Sequence, residues 1–466
     1  MIQRISVIGL GKLGASMAAA FASRGFDVIG VDINQTSVDL VNQGHAPVQE
    51  TDLEETIAAN KGRIRATLSH EEAVLNSDIS FVIVPTPSDE RGSFSLQYAE
   101  WAFKEIGKAL AKKNTYHNVV LTSTVLPGST RQAILPILER ESGKRAGTGF
   151  GLCYSPEFIA LGSIIRDFLN PDFTLIGELD ERCGGELEEL YSRVMTNGSH
   201  SARMSLENAE LAKISVNTFV TTKITFANML AEICEKLPGG DVDVVTNALG
   251  MDTRIGRKYL SGAIGYGGPC FPRDNIALSF IARELGVEAR LAETTDSMNR
   301  RIPESVVERL ESVIRRGATV AVLGLSYKPY SHVTEESQGV DVAKHLSKNG
   351  YRVVAFDPMS KEMYLDDLRR NIVVLDSIAE CLTQAEAVLI TTPDPAFAGL
   401  KADDFKNEWA EVLVMDFWRL LRTELEDKRG IKYLAVGLSG NDVENTKLLK
   451  SLWWGDGGES VKKSAE

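Results

Sequence analysis

No uninterrupted apolar run in this chain approaches the roughly 18 residues a helix needs to cross a bilayer. The short apolar stretch at the N-terminus runs straight into a glycine motif, which argues against a signal peptide and makes the cytoplasm the expected compartment. Cysteine is scarce and scattered. Cys153, Cys183, Cys234, Cys270 and Cys381 are odd in number and form no Cys-x-x-Cys pair, so neither a disulfide framework nor a zinc site is expected. The six histidines are equally dispersed, so no metal is expected from them either. Net positive charge is also missing. A formal charge of −13 excludes general nucleic-acid binding and an anionic membrane surface as the main business, while leaving room for a local basic pocket. At 466 residues the chain is too long for one hydrophobic core, so two or three domains are expected.

The stretch that carries most chemistry is Gly265-Tyr266-Gly267-Gly268-Pro269-Cys270-Phe271-Pro272-Arg273-Asp274. Its three glycines and two prolines predict a tight, shaped loop across the whole run. Cys270 sits there beside bare backbone amides and three residues before an arginine, and both features favour thiolate over thiol. A free cysteine is more often a small buried hydrophobe. Apolar core cysteines do not usually lie in Gly/Pro loops beside Arg and Asp, so Cys270 reads as a nucleophile.

The opening of the chain supplies a nucleotide site. Arg4–Ile8 reads as a buried strand, followed by Gly9-Leu10-Gly11-Lys12-Leu13-Gly14 and a helix from Ala15 to Arg24 closed by Gly25. A second strand, Val28–Val31, delivers Asp32. Glycines let the backbone approach a pyrophosphate at the helix N-terminus, and an acid about twenty residues on accepts both ribose hydroxyls and repels a 2′-phosphate. The four parts stand in order, so a Rossmann domain binding NAD rather than NADP is expected. Further strands end at Pro85-Thr86-Pro87, at Ser123-Thr124 and just before Glu157, which places these residues at the carboxyl edge where such sheets bind ligands. The alternatives are turn hydroxyls for the threonines and a solvated turn carboxylate for Glu157.

From Ser201 to Leu237 there is neither Gly nor Pro, and Pro238-Gly239-Gly240 ends the run. With Ser205 as N-cap this predicts one helix of about 30 residues, or some 45 Å. Leu211, Ile214, Phe219, Ile224, Phe226, Leu230 and Ile233 cover much of its circumference and predict that it is largely buried. Lys213 and Asn217, four apart, share one face; a snorkelling lysine is the alternative to a functional pair. From Gly317 the opening pattern restarts: Val320–Leu325 echoes the first strand and its glycine turn, Val353–Asp357 the second strand with its acid, and Val388–Pro393 the Pro-Thr-Pro strand.

Together these motifs resemble the nucleotide-sugar dehydrogenase family typified by UDP-glucose and GDP-mannose dehydrogenases. The resemblance runs from Val7 to about Asp416 and also takes in Ser155-Pro156-Glu157-Phe158, Lys213-Ile214-Ser215-Val216-Asn217 and Gly324-Leu325-Ser326-Tyr327-Lys328-Pro329. It implies NAD-dependent, four-electron oxidation of a sugar C6 alcohol to the carboxylate, with UDP-glucose the expected substrate. By position, Cys270 matches the thiol that forms a thiohemiacetal and then a thioester. Lys213 matches an acid/base and oxyanion partner, Asn217 its companion donor, and Asp274 the carboxylate working with that lysine. Glu157 matches the residue assigned to hydrolysis, and Thr124 a threonine near the nicotinamide. Cofactor contacts are implied for Gly9 through Gly14, Asp32, Pro85, Thr86, Ser123 and Thr124. Substrate contacts are implied for Glu157, Phe158, Lys213, Asn217, Tyr266, Gly267, Tyr327 and Lys328, and for Arg254, lent to a neighbouring subunit.

The implied architecture is α/β, with two Rossmann-like doubly wound domains joined by the long helix. The boundaries are 1–200 for NAD, 201–300 for a helical dimerisation segment, 301–452 for the nucleotide sugar and 453–466 for a disordered tail. A homodimer or larger homo-oligomer is expected. Three positions depart from the family pattern: Glu335 stands where an arginine is expected, Leu161 replaces a glutamate and Phe173 an arginine. The rival readings are the same chemistry on a UDP-N-acetylhexosamine or GDP-mannose, a two-electron β-hydroxyacid dehydrogenase, and a non-catalytic nucleotide-binding protein.

Overall fold

The computed structural model describes residues 2–454 other than Glu362, Tyr364 and Arg369. The chain forms two compact units, Met1–Val216 with Ala277–Glu288, and Asn217–Ile276 with Ala289–Glu466.

The first unit is built on β1 (Arg4–Ile8), β2 (Asp27–Val31), β3 (Ile64–Thr67), β4 (Ile79–Val82), β5 (Asn118–Leu121), β6 (Gly151–Tyr154), β7 (Thr174–Glu178) and β8 (Ser201–Ser205). These make one eight-stranded sheet in the order β3-β2-β1-β4-β5-β6-β7-β8. Every pairing is parallel except β6 with β7. Helices cover both faces of such a sheet, so its central strands are apolar on both sides: every residue of β4, β5 and β6 is buried. On one face Phe21 packs against Phe81 and Phe168 at 5.0 and 5.2 Å between ring centroids. On the other, Phe103, Ile106, Leu121 and Tyr154 share a core. Strand order reverses between β1 and β4, and a crevice for a ligand opens at the carboxyl ends of strands flanking such a point.

The second unit repeats the plan with β9 (Thr319–Leu323), β10 (Arg352–Phe356), β11 (Val373–Val374), β12 (Ala387–Ile390), β13 (Val412–Asp416) and β14 (Ile431–Ala435). The order is β11-β10-β9-β12-β13-β14, all parallel. Both sheets are therefore Rossmann-like, as the internal repeat predicts. The repeat diverges at its acid. Asp357 is 1% exposed and its carboxylate accepts the N–H groups of Leu325, Ser326 and Met359 and the Ser326 hydroxyl at 2.7 to 3.0 Å. It pins the turn after β9, and its burial withdraws it from any ribose. In the same unit Arg419 pairs with both carboxylate oxygens of Asp243 at 2.7 and 2.9 Å, and Arg422 with Asp241 at 2.7 Å. These ion pairs fasten the helical segment after residue 217 to the second sheet.

The central helix spans Leu206–Cys234, 29 residues, and the Ser205 hydroxyl accepts the Asn208 N–H at 3.3 Å as an N-cap should. The expectation that it is largely buried is corrected. Ile214 is fully buried, but Leu211, Phe219, Phe226 and Ile233 are 43 to 64% exposed. Their spacing of seven or eight residues puts them on one stripe, which one chain by itself leaves uncovered. The disordered tail expected from Trp453 concerns residues of which 455–466 lie outside those described; the last described helix is Asp442–Trp454. Among the described residues no helix is long and apolar enough to cross a membrane.

Candidate active site

The first unit carries the glycine turn. Gly9 follows β1 with φ +99°, and a Cβ there would run into the Ile83 carbonyl, so only glycine fits. A Cβ on Gly14 would strike the Gly9 carbonyl, which keeps the helix close against the turn. Gly11 is different: nothing lies within 4 Å of a Cβ built on it. It precedes the helix Lys12–Ser23, which starts three residues earlier than the sequence pattern suggested and has no side-chain cap. The helix thus starts without a side-chain cap beside a glycine with room around it, a cradle that fits a pyrophosphate. Leu10 and Leu13 pack into or against the core below it. Asp32, half-buried, closes β2 and accepts the Leu10 N–H at 2.7 Å and the Asn34 N–H at 2.9 Å. A carboxylate has about four lone-pair sites, so capacity for ribose hydroxyls remains.

Across the crevice Pro85 is exposed and Thr86 buried. The Thr86 hydroxyl donates to the Thr124 carbonyl at 2.8 Å. Ser123 donates its hydroxyl to the Val84 carbonyl at 2.7 Å and accepts the Val84 N–H at 2.9 Å. These hydroxyls fasten the ends of β4 and β5 to each other. Thr124 is half-buried beside them.

Beyond β6, Lys213 donates to the backbone carbonyl of Glu157 at 2.6 Å and lies over the Phe158 ring at 4.4 Å. Phe158 in turn packs on Phe173 at 5.0 Å, so the aromatic that departs from the family pattern backs the ring facing the lysine. Burial pushes the Glu157 carboxyl up to about 8, against a smaller opposing pull from the Lys213 ammonium.

The second unit holds Cys270. Among the five cysteines it is exposed and the other four are buried. The predicted loop ends at this residue rather than at Asp274: the helix Phe271–Glu284 begins immediately after it, and the Asp274 N–H donates to the Cys270 carbonyl at 2.9 Å. Pro272 lies in the first turn, where a missing N–H costs nothing, so its presence does not prevent a helix. Cys270 is therefore the N-cap residue, and the positive end of a helix dipole favours its thiolate. Asn217, one turn beyond Lys213 on the central helix, donates to Asp274 at 2.6 Å, and both are buried. Arg273 approaches the same carboxylate at 3.6 Å.

Around the loop, Gly267 lies against the Glu336 carbonyl and Gly268, with φ +84°, against the Tyr327 ring. The Gly268 N–H donates to the Glu335 carbonyl at 3.0 Å. Tyr266 is buried. The Lys328 ammonium lies 5.7 Å from the centre of the Tyr327 ring. Arg254 stands apart, its side chain 87% exposed and paired with Asp252 at 2.6 Å. Asn299, Gln338 and Asn275 hydrogen-bond Tyr266, Thr221 holds the Asn275 amide in turn, and none of the four was among the residues singled out from sequence. Their only signal was a polar side chain at a helical position, which does not distinguish them from surface residues. Among the described residues no cluster of three or more His, Cys, Asp or Glu could hold a metal ion.

Comparison with known proteins matches three domain models in order. These are the NAD binding domain of the UDP-glucose/GDP-mannose dehydrogenase family over residues 3–195, its central domain over 207–301 and its UDP binding domain over 321–423. A UDP-glucose 6-dehydrogenase of Haloferax volcanii is 36% identical over 421 residues, covering 90% of this chain and 97% of that protein. A GDP-mannose 6-dehydrogenase of Pseudomonas putida is 37% identical over 358 residues, 76% of this chain and 80% of that protein. The structure of a UDP-glucose dehydrogenase from the hyperthermophilic archaeon Pyrobaculum islandicum superposes with a TM-score of 0.84 at 34% identity, over 94% of this chain and 98% of that one. With its glycine cradle shaped for a dinucleotide and all three domains matched in order, the chain is an NAD-dependent nucleotide-sugar dehydrogenase and belongs to the UDP-glucose/GDP-mannose dehydrogenase family.

Proposed function

We propose that the substrate is UDP-glucose and that its C6 alcohol is carried through the aldehyde to the carboxylate by way of Cys270. The observation that carries this reading is an exposed cysteine capping a helix, followed four residues on by a buried carboxylate held by Asn217. UDP-glucose is favoured over GDP-mannose because the solved UDP-glucose dehydrogenase superposes with a TM-score of 0.84, against 0.52 for a solved GDP-mannose dehydrogenase of Pseudomonas aeruginosa.

NAD, when bound, supplies the hydride acceptor for both oxidations, with Gly9 through Gly14 and Asp32 as its holding residues. Lys213 and Asn217 donate to the C6 oxygen, which gains negative charge in each transition state. The Cys270 thiolate adds to the aldehyde carbon, retaining a reactive intermediate and converting it to a thiohemiacetal that can lose a second hydride. Glu157, in its ionised form, takes a proton from the water that cleaves the resulting thioester. Asp274 orients Asn217 and offsets the charge of Arg273. Tyr327 and Lys328, on the turn after β9, are assigned to the nucleotide-sugar side. The direct test is NADH formed per sugar consumed across UDP- and GDP-sugars. Two NADH per UDP-glucose is the expected result, and one per sugar would move the chain to two-electron chemistry.

The exposed stripe of Leu211, Phe219, Phe226 and Ile233 is assigned to a second copy of this chain, and Arg254 to the substrate of that copy. Large apolar residues left in water at seven-residue spacing are the pattern of a helix that packs on another. Phe226→Asp is expected to weaken self-association at least about 100-fold, since a buried charge replaces a central aromatic contact. Sedimentation velocity reads this directly, and an unchanged sedimentation coefficient for the variant at micromolar concentration would remove the stripe from the interface. With a reduced thiol at its centre, the enzyme is placed in the cytoplasm.

A further inference from the structure

The backbone of one residue in the cysteine loop, Tyr266, is held by side chains from two separate helices. Asn299, 5% exposed on the helix Arg290–Glu311, accepts the Tyr266 N–H at 2.9 Å and donates to the Tyr266 carbonyl at 3.0 Å. Gln338, first residue of the helix Gln338–Lys348, donates to the same carbonyl at 3.1 Å. The Tyr266 ring is tethered as well. Its hydroxyl accepts from Asn275 at 2.9 Å, and the Asn275 amide pairs with the Thr221 hydroxyl on the central helix at 3.0 and 3.1 Å. A Cβ on Gly265 would run into the Asn299 amide, so the loop approaches as closely as backbone permits.

A side-chain amide offers a donor and an acceptor at the spacing of a peptide group, so Asn299 serves Tyr266 as a neighbouring strand would. We propose that Asn299 is a positioning residue for the Cys270 thiol. It fixes the loop four residues upstream, which keeps the sulfur at the N-terminus of the helix Phe271–Glu284. Gln338 joins the Tyr266 carbonyl to the segment that leads out of the nucleotide-side turn. The proposal rests on the reading of Cys270 as the nucleophile. Removing the Asn299 amide leaves the Tyr266 N–H buried with no side-chain partner and its carbonyl with one donor in place of two, and a loop in that state shifts to satisfy them. Sulfur displaced from the helix end loses both its orientation and the field that stabilises the thiolate.

The experiment uses the full-length chain with Asn299→Ala, Asn299→Asp and Gln338→Leu. Alkylation by iodoacetamide reports Cys270, because the other four cysteines are buried. Asn299→Ala is expected to lower kcat by about 100-fold, the cost of misplacing a reacting group by roughly 1 Å. The alkylation–pH profile moves to higher pH, while KM for NAD stays within about twofold. Asn299→Asp keeps the acceptor but sets a carboxylate against a carbonyl, and is expected to fall with alanine rather than with wild type. A lower melting temperature with wild-type kcat and a wild-type alkylation profile would make Asn299 structural only and overturn the proposal. Should Asn299→Ala fail to fold, Gln338→Leu decides: it removes one donor, so a several-fold fall in kcat with an upward-shifted profile supports the clamp and an unchanged profile rejects it. Full turnover in Cys270→Ala would instead overturn the nucleophile reading, and the alkylation profiles separate that failure from this one.

Discussion

Cys270→Ala is expected to reduce uronate formation by at least about 10³-fold while leaving NAD affinity within about twofold of wild type. No other cysteine can stand in, because Cys153, Cys183, Cys234 and Cys381 are all buried. The size of the effect follows from the chemistry. An aldehyde has no good route to a carboxylate by hydride loss until a nucleophile has added to it, and water adds far less readily than a thiolate held at a helix N-terminus. Cys270→Ser is expected to fail nearly as badly, since a serine hydroxyl stays protonated where a thiol ionises. Product analysis by mass spectrometry after a single turnover reads the result. Uronate formed at the wild-type rate in Cys270→Ala would end the covalent mechanism. Aldehyde released in place of uronate would place the loss at the second oxidation.

How far the fold could be read depends on which strands are buried on both faces. β1, β2, β4 and β6, together with β9, β10 and β12, are apolar runs ending in glycine, acid or proline, and β5 is one ending in Thr122-Ser123-Thr124, so the pattern shows them. β8 does not show itself. Its sequence Ser-Ala-Arg-Met-Ser is an edge strand that is partly exposed along its length, so no alternation or apolar run marks it. β11 is two residues long and carries no pattern at all. The helix after Cys270 was masked by Pro272 and by charged Arg273 and Asp274, residue types that read as loop although a first turn accepts them.

The site residues divide along a similar line. Cys270, Lys213, Asn217 and Asp274 declare themselves because their chemistry is unusual for where they stand. Asn299 does not, because its role is created by a backbone segment 33 residues away, and nothing near it in sequence encodes that meeting. The three departures are partly resolved by packing. Phe173 stacks on Phe158 beneath Lys213, so the position has become part of an aromatic wall. Glu335 is exposed and uses its backbone carbonyl to hold Gly268, a service any side chain would permit. Nothing in the structure explains Leu161.

Glu157 gives the second large effect, and its sign follows from its environment. Burial raises the carboxyl to about 8 from an ordinary 4.5, with Lys213 pulling partly back. At pH 7 about a tenth of the molecules then carry the ionised base, so a hydrolytic step that depends on it should quicken as pH rises toward 8 and level off above. Glu157→Gln is expected to slow thioester hydrolysis by about 100-fold or more and to remove that rise. An acyl adduct on Cys270 should accumulate in the variant and be visible by intact-mass spectrometry. A pH–rate profile identical to wild type would take Glu157 out of the hydrolytic step. Stability carries the opposite slope. The folded state binds more protons than the unfolded state between 4.5 and about 8, so this group's contribution is fully present below that window and is lost as pH rises through it. Glu157→Gln should flatten the melting temperature against pH across the same interval. Activity and stability therefore pull this one carboxyl in opposite directions, as expected for a base kept protonated by the site that needs it ionised.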